Sequence, residues 1–248
     1  MIRTTLAAFL VSAMQALPAL AFDPAAMNDG EKDAFGQAVR EYLMTHPEVL
    51  VEAINELETR QASAAAQTDL SLVKDNEAAI FADGHSWVGG NPEGDITVVE
   101  FMDYRCGYCR KAYQEVEDLV SSDGNIRFIL KEFPILGPQS DLSARYAIAV
   151  QQLHGDDAYK KTHDALISFR GDITSESLTR MATDMGFDAE ALMKQMDDDS
   201  VTAVLAANHQ LAEKLRISGT PTFVMGGQMV RGYVPLDGMR QIVTQERG

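Results

Sequence analysis

Cys106-Gly107-Tyr108-Cys109 contains the only two cysteines in this 248-residue chain. The ten residues before it, Ile96-Thr97-Val98-Val99-Glu100-Phe101-Met102-Asp103-Tyr104-Arg105, read as a buried strand closed by a tight turn. The residues after it, 110–120, read as a helix. A C-x-x-C pair at a strand-to-helix junction suits a redox dithiol. The first sulfur sits where free backbone N–H groups and the helix dipole favour negative charge. The second lies one helical turn later, within reach of a mixed disulfide on the first.

Other uses of the pair fit less well. A structural disulfide closing so small a loop contributes about 2 kcal/mol before strain. A zinc site needs about four ligands, and no second C-x-x-C exists. The five histidines, His46, His85, His154, His163 and His209, are scattered and read as surface or packing residues. Haem attachment needs histidine directly after the second cysteine, where Arg110 stands.

Residues 1–21 have the pattern of an export signal. Arg3 gives a positive start, residues 6–17 an apolar stretch, and Ala19-Leu20-Ala21 a small-x-small cleavage site. The expected mature chain starts at Phe22 and is soluble, because no other apolar run of ~18 residues occurs. An oxidising compartment, expected to be a bacterial periplasm, suits a working disulfide. With 21 Lys+Arg against 37 Asp+Glu, the net charge of −16 argues against nucleic acid or an anionic membrane as ligand.

A helical appendage is expected over residues 22–82. Phe35, Val39 and Leu43 form one stripe; Leu50, Ile54, Leu57 and Gln61 form a second. Between them, Thr45 is expected to N-cap the second helix, with Glu48 completing a capping box. A third short helix is expected over residues 70–79. Apolar stripes ahead of an otherwise complete domain suggest burial against another subunit. Packing back onto the same chain is the alternative.

Residues 83–248 form the expected catalytic domain. A short strand near Trp87, the central strand and dithiol helix, and a strand over 126–133 come first. Helix patterns then fill about 139–216, with four helices marked by Leu142 to Leu153, Tyr159 to Leu166, Leu178 to Met185 and Val204 to Leu215, punctuated by Gly155, Gly171 and Gly186. Strand signals return at Thr220-Pro221-Thr222-Phe223-Val224-Met225. A Gly226-Gly227 turn, another strand and a helix over 236–246 follow. The order is β-α-β, a helical block, then β-β-α. The fold class is therefore α/β, a thioredoxin-like fold with an inserted helical domain, preceded by N-terminal helices.

The segment Phe101-Met102-Asp103-Tyr104-Arg105-Cys106-Gly107-Tyr108-Cys109-Arg110-Lys111 closely resembles the active site of the DsbA family of periplasmic thiol:disulfide oxidoreductases. Gly219-Thr220-Pro221-Thr222-Phe223 resembles that family's cis-proline loop, and the N-terminal helices resemble those of oligomerising ScsC-type members. The resemblance covers residues 83–246. It implies that Cys106 is the nucleophile and solvent-facing sulfur, and Cys109 the more buried resolving one. It implies that Pro221 is cis, with the Thr220 backbone facing the dithiol and open to an extended substrate segment. Glu100 matches an acidic position that helps move the proton of the buried cysteine, and Lys131 in the next strand is its expected partner. A wet strand end without a role is the alternative for Glu100. Gly107 and Tyr108 tune the thiolate and hence the potential. Met225 and Met229 line a substrate groove or pack in the core. Arg105, Arg110 and Lys111 are expected on the surface.

The expected activity is thiol–disulfide exchange on unfolded or misoxidised secreted proteins, with no cofactor beyond the Cys106–Cys109 disulfide. A membrane redox partner, DsbB-like or DsbD-like, and a homo-oligomer are implied. Gly-Tyr between the cysteines and Thr220 before the proline are similar to the DsbC isomerases, which tilts the reading toward shuffling. Net dithiol oxidation is the alternative. A non-catalytic copper-binding or holdase protein is a second alternative, since Cu(I) accepts two thiolates and ScsC members are associated with copper tolerance.

Overall fold

The computed structural model describes residues 26–248, so the expected signal over 1–21 lies outside the described residues. The described residues divide into two units, one ending at Thr59 and the other running from Arg60 to Gly248.

In the first unit, α1 (Asp29–Thr45) starts from a capping box in which Asn28 and Glu31 bind each other's backbone N–H. α2 (Glu48–Asp75) begins in this unit and runs past the boundary. Thr45 is the last residue of α1 rather than the N-cap of α2. Its hydroxyl donates to the carbonyls of Glu41 and Tyr42, satisfying the end of the first helix. Val39, Tyr42, Leu50, Ile54 and Leu57 are all exposed.

The second unit takes the rest of α2, which is unbroken where a third helix was expected to start. α3 (Glu77–Phe81) follows as a short separate helix. A five-stranded sheet comes next: β1 (Trp87–Gly90), β2 (Ile96–Met102), β3 (Ile126–Glu132), β4 (Thr222–Met225) and β5 (Gln228–Arg231). The spatial order is β1-β3-β2-β4-β5. β2 and β3 are parallel, joined through α4 (Gly107–Asp123), and the other pairs are antiparallel. Gly124, in the left-handed region at φ 71°, ends α4 and turns the chain into β3. Met225 pairs with Gln228, so Gly226-Gly227 is the two-residue hairpin turn.

Between β3 and β4 lie α5 (Pro138–His154), α6 (Asp156–Ser168), α7 (Ser175–Asp184), α8 (Ala189–Met196) and α9 (Asp199–Lys214). α8 has no counterpart in the sequence reading. It is two turns long, capped by Asp188, and buries only Leu192 and Met196. α10 (Leu236–Arg247) closes the chain. Among the described residues no helix is long and apolar enough to cross a membrane.

The sheet has an apolar core on each face. One holds Val98, Met102, Phe128 and Leu130 against α4, both cysteines and the inserted helices. The other holds Val99, Phe101 and Ile129 against Val73, Ile80 and Leu215. Residues 60–82 thus help cover the second face of the sheet.

Candidate active site

The approach to the dithiol is fixed by a buried aspartate. β2 ends at Met102, and the Asp103 carboxylate accepts N–H bonds from Arg105 at 2.7 Å, Ile135 at 2.8 Å and Leu136 at 3.1 Å. The Asp103 carbonyl accepts from the Cys106 N–H at 3.0 Å. One side chain therefore ties the turn before Cys106 to the loop after β3. Sequence reasoning passed over it, although an Asp two residues before a turn N–H is an Asx-turn signal.

Cys106 is the N-cap of α4 and Cys109 lies in its first turn. Both are free thiols. Cys106 is 7 % exposed and Cys109 1 %, so the expected order of accessibility holds, although Cys106 is recessed rather than solvent-facing. The Thr220–Pro221 bond is cis, and the Thr220 carbonyl lies 3.1 Å from Cys106 Sγ. Ser218, Gly219, Thr222, Arg231 and Gly232 complete a groove around this loop. Tyr108, 62 % exposed, stacks on Tyr233, whose ring also carries the Lys111 ammonium at 4.1 Å. Arg110 turns back to donate to the Tyr104 carbonyl at 2.8 Å. Met225 and Met229 are buried and pack in the core.

The two sulfurs are electrostatically unlike. The Cys109 thiol donates to Cys106, the Thr220 side chain adds to it, and the N–H groups of Cys109 and Tyr108 point at it. Together they outweigh burial and lower the Cys106 pKa to about 5. The contact with the Thr220 carbonyl suits only the protonated thiol, whereas these donors favour the thiolate. The donors are the more numerous, so we assign the thiolate. Burial, the bond to Cys106 and the nearby Glu100 push Cys109 far upward.

Glu100 is 5 % exposed, which removes the wet-strand-end alternative. Burial first, then the charges of Cys106, Glu117 and Glu132, raise it to about 8. Lys131 is not its partner. Glu100 stands opposite Leu130 in the parallel register, and Lys131 opposite Phe101, so alternation sends the two side chains to opposite faces. Lys131 pairs instead with Asp83, and donates to the Ala79 carbonyl at 3.1 Å and Ser86 Oγ at 3.3 Å. It thereby anchors the segment entering the sheet, on the face away from the dithiol.

The acidic residue on the Glu100 face is Glu132, which sequence reasoning missed. It accepts from the hydroxyls of Tyr104 at 2.8 Å and Tyr159 at 2.6 Å. Burial raises it to about 8 despite those two donors.

Residues 97–244 match the DSBA-like thioredoxin domain, and residues 31–64 the copper resistance protein ScsC N-terminal domain. Among solved structures, a thioredoxin-like oxidoreductase from Silicibacter pomeroyi DSS-3 is 41% identical, with a TM-score of 0.65 over 69% of this chain and 98% of that one. The thiol-disulfide exchange protein alpha-DsbA2 from Wolbachia pipientis is 27% identical, with a TM-score of 0.67 over 73% and 97%. Proteus mirabilis ScsC in a transitional conformation is 25% identical, with a TM-score of 0.64 over 90% and 98%. Among curated proteins, the Na(+)/H(+) antiporter NhaA 1 of Salinispora arenicola is 28% identical over 160 residues, and the match spans only 24% of that protein's length. A cysteine pair at a helix N-terminus beside a cis-proline loop, within a domain matched over most of its length, assigns this chain to the DSBA-like thioredoxin-domain family, a family of thiol-disulfide oxidoreductases.

Proposed function

We propose that this chain catalyses thiol–disulfide exchange on folding exported proteins in the periplasm, as a homo-oligomer that acts chiefly by shuffling wrong disulfides. The observation that carries the chemistry is the unequal pair: Cys106 held near pKa 5, Cys109 held protonated, side by side against Thr220. The Cys106 thiolate attacks a substrate disulfide, one substrate sulfur leaves as thiolate, and a mixed disulfide forms. In shuffling, that freed thiolate attacks another substrate disulfide, and the thiolate displaced there attacks the substrate sulfur of the mixed disulfide and expels Cys106 as a thiolate. In escape, Cys109 loses its proton, attacks Cys106 Sγ and expels the second substrate sulfur. The groove at Ser218–Gly232 suits an extended peptide laid beside the Thr220 backbone.

Three features support shuffling: the Gly107-Tyr108 dipeptide, Thr220 before the proline, and the exposed apolar stripe Val39, Leu50, Ile54 and Leu57. Paired through that stripe, several dithiols would face one substrate, raising their effective concentration, and would be shielded from a membrane oxidant. A DsbD-like reductant would keep such an enzyme reduced. Net oxidation with a DsbB-like partner is the second reading, and the low pKa of Cys106 favours it, because a stabilised thiolate makes the disulfide more oxidising. A copper role would draw on the dithiol, the one pair of thiolates in the sequence.

A chain beginning at Arg60 keeps the second compact unit whole and tests the oligomer. It should be a monomer by light scattering and should refold a scrambled-disulfide substrate ~10-fold or more slowly, while still reducing a small disulfide. An unchanged mass, or equal refolding by the monomer, contradicts the oligomeric shuffling reading.

A further inference from the structure

Beneath the dithiol, one face of the sheet carries two buried carboxyls. β2 and β3 run parallel with Glu100 opposite Leu130 and Met102 opposite Glu132, so Glu100 and Glu132 share a face, one position apart along it. That face packs against the core containing Cys106 and Cys109. Glu132 is 3 % exposed, and its Oε1 takes both tyrosine hydroxyls. The Tyr104 proton is committed to Glu132, so His163 Nδ1, 3.2 Å from the Tyr104 oxygen, is the donor of that contact. His163 is buried and stays neutral, its pKa lowered to about 3 by desolvation.

The groups facing each carboxyl set an order between them. Around Glu100 stand Cys106, Cys109 and Glu117 from α4, Glu132 from β3 and Tyr159 from α6. None of these supplies positive charge. Around Glu132 stand Asp103, Tyr104 and Tyr159, and the two hydroxyls stabilise its anion. Both carboxyls are raised to about 8, so the pair loses its first proton only there. Two carboxyls in one buried layer resist ionising together, and Glu132, with its two hydroxyl donors, takes that first charge.

We infer that Glu132 is a positioning residue for proton transfer at the dithiol: its negative charge holds a proton on Glu100, where Cys109 uses it. This rests on the exchange chemistry proposed above. When a substrate thiolate attacks Cys106 Sγ, the Cys106–Cys109 bond breaks and its electron pair leaves on Cys109 Sγ. Buried Cys109 then takes the Glu100 proton, leaving the carboxylate. In the reverse direction the Glu100 carboxylate accepts the proton from Cys109 as that sulfur attacks the mixed disulfide. Without the charge of Glu132, Glu100 loses its proton at lower pH, and less of the acid remains from neutrality upward.

The test is the pH dependence of the thiol–disulfide equilibrium of the full chain with glutathione, for wild type, Glu132→Gln, Glu132→Asp, Glu100→Gln and the Gln/Gln double variant. Wild type should show a break from Glu100 at or above pH 8, after Glu132 has ionised. Glu132→Gln should lower that break by about one pH unit, and Glu132→Asp should restore it. Glu100→Gln should remove the break, and adding Glu132→Gln should change nothing further. An unmoved break in Glu132→Gln, or the same change on top of Glu100→Gln, overturns the inference, because a structural effect would not act through Glu100. If Glu132→Gln does not fold, Glu132→Met removes the charge at similar volume and is read the same way. A dithiol that never equilibrates with glutathione contradicts the exchange function itself. Normal equilibration with an unmoved break contradicts only the role of Glu132.

Discussion

Titrated through its thiolate absorbance, the reduced protein should show one sulfur ionising near pH 5 and the other remaining a thiol through the neutral range. The first is Cys106, lowered from an ordinary value of 9.0 by the Cys109 thiol, the Thr220 side chain and two helix N–H groups. A difference of that size changes the thiolate fraction at neutral pH by about two orders of magnitude, from roughly one per cent to nearly complete. It also has a direction in stability. Cys106 ionises more readily in the folded chain than in the unfolded one. Its contribution is therefore complete above the unfolded value near 9 and disappears as pH falls through 5. The reduced protein should accordingly gain stability over a Cys106→Ser variant as the pH rises across that window, read as a widening gap in midpoint temperature. Two thiols ionising together near 9, or a gap that narrows with rising pH, would contradict the assignment.

Cys109→Ala should trap the substrate. The Cys106 thiolate remains, so attack on a substrate disulfide still forms the mixed disulfide. Where the substrate has no second disulfide to shuffle with, escape needs the neighbouring sulfur, which is 1 % exposed and one helical turn away. Exchanging that intramolecular attack for one by a thiol from solution should slow release by ~10³-fold or more. One substrate chain per protein chain should persist on a non-reducing gel and vanish on reduction. The same substitution removes the largest contribution lowering the Cys106 pKa, so the titration midpoint should rise. Rapid release, or an unmoved midpoint, would mean that the two sulfurs do not act on each other.

The junction of β2, the dithiol and α4 was legible because local signals agree there: an apolar run, a turn, two cysteines and a helical pattern. The Gly226-Gly227 hairpin was legible on the same grounds, and the cis-proline loop only through its resemblance to the DsbA family. α8 was not, because a two-turn helix with two buried side chains has little periodicity to show. Thr45 serves either helix by composition, and only backbone geometry shows that it finishes α1. The pairing of Glu100 with Lys131 failed on register. Adjacent strands do not reveal which residues share a face, and the parallel alignment places these two apart. Glu132 was hidden because Lys131-Glu132 at the end of a strand reads as solvent. Its burial is made tolerable by hydroxyls 27 and 28 residues away in sequence.

The central claim is that Cys106 carries the reaction, and refolding of a scrambled-disulfide substrate by a Cys106→Ser variant tests it most directly. Serine keeps the helix N-cap and the shape of the site, but its hydroxyl neither ionises near neutrality nor forms a disulfide. The account predicts loss of refolding and reductase activity by ~10³-fold or more, to the level of buffer alone, with the fold intact. Activity that persists in this variant would contradict it.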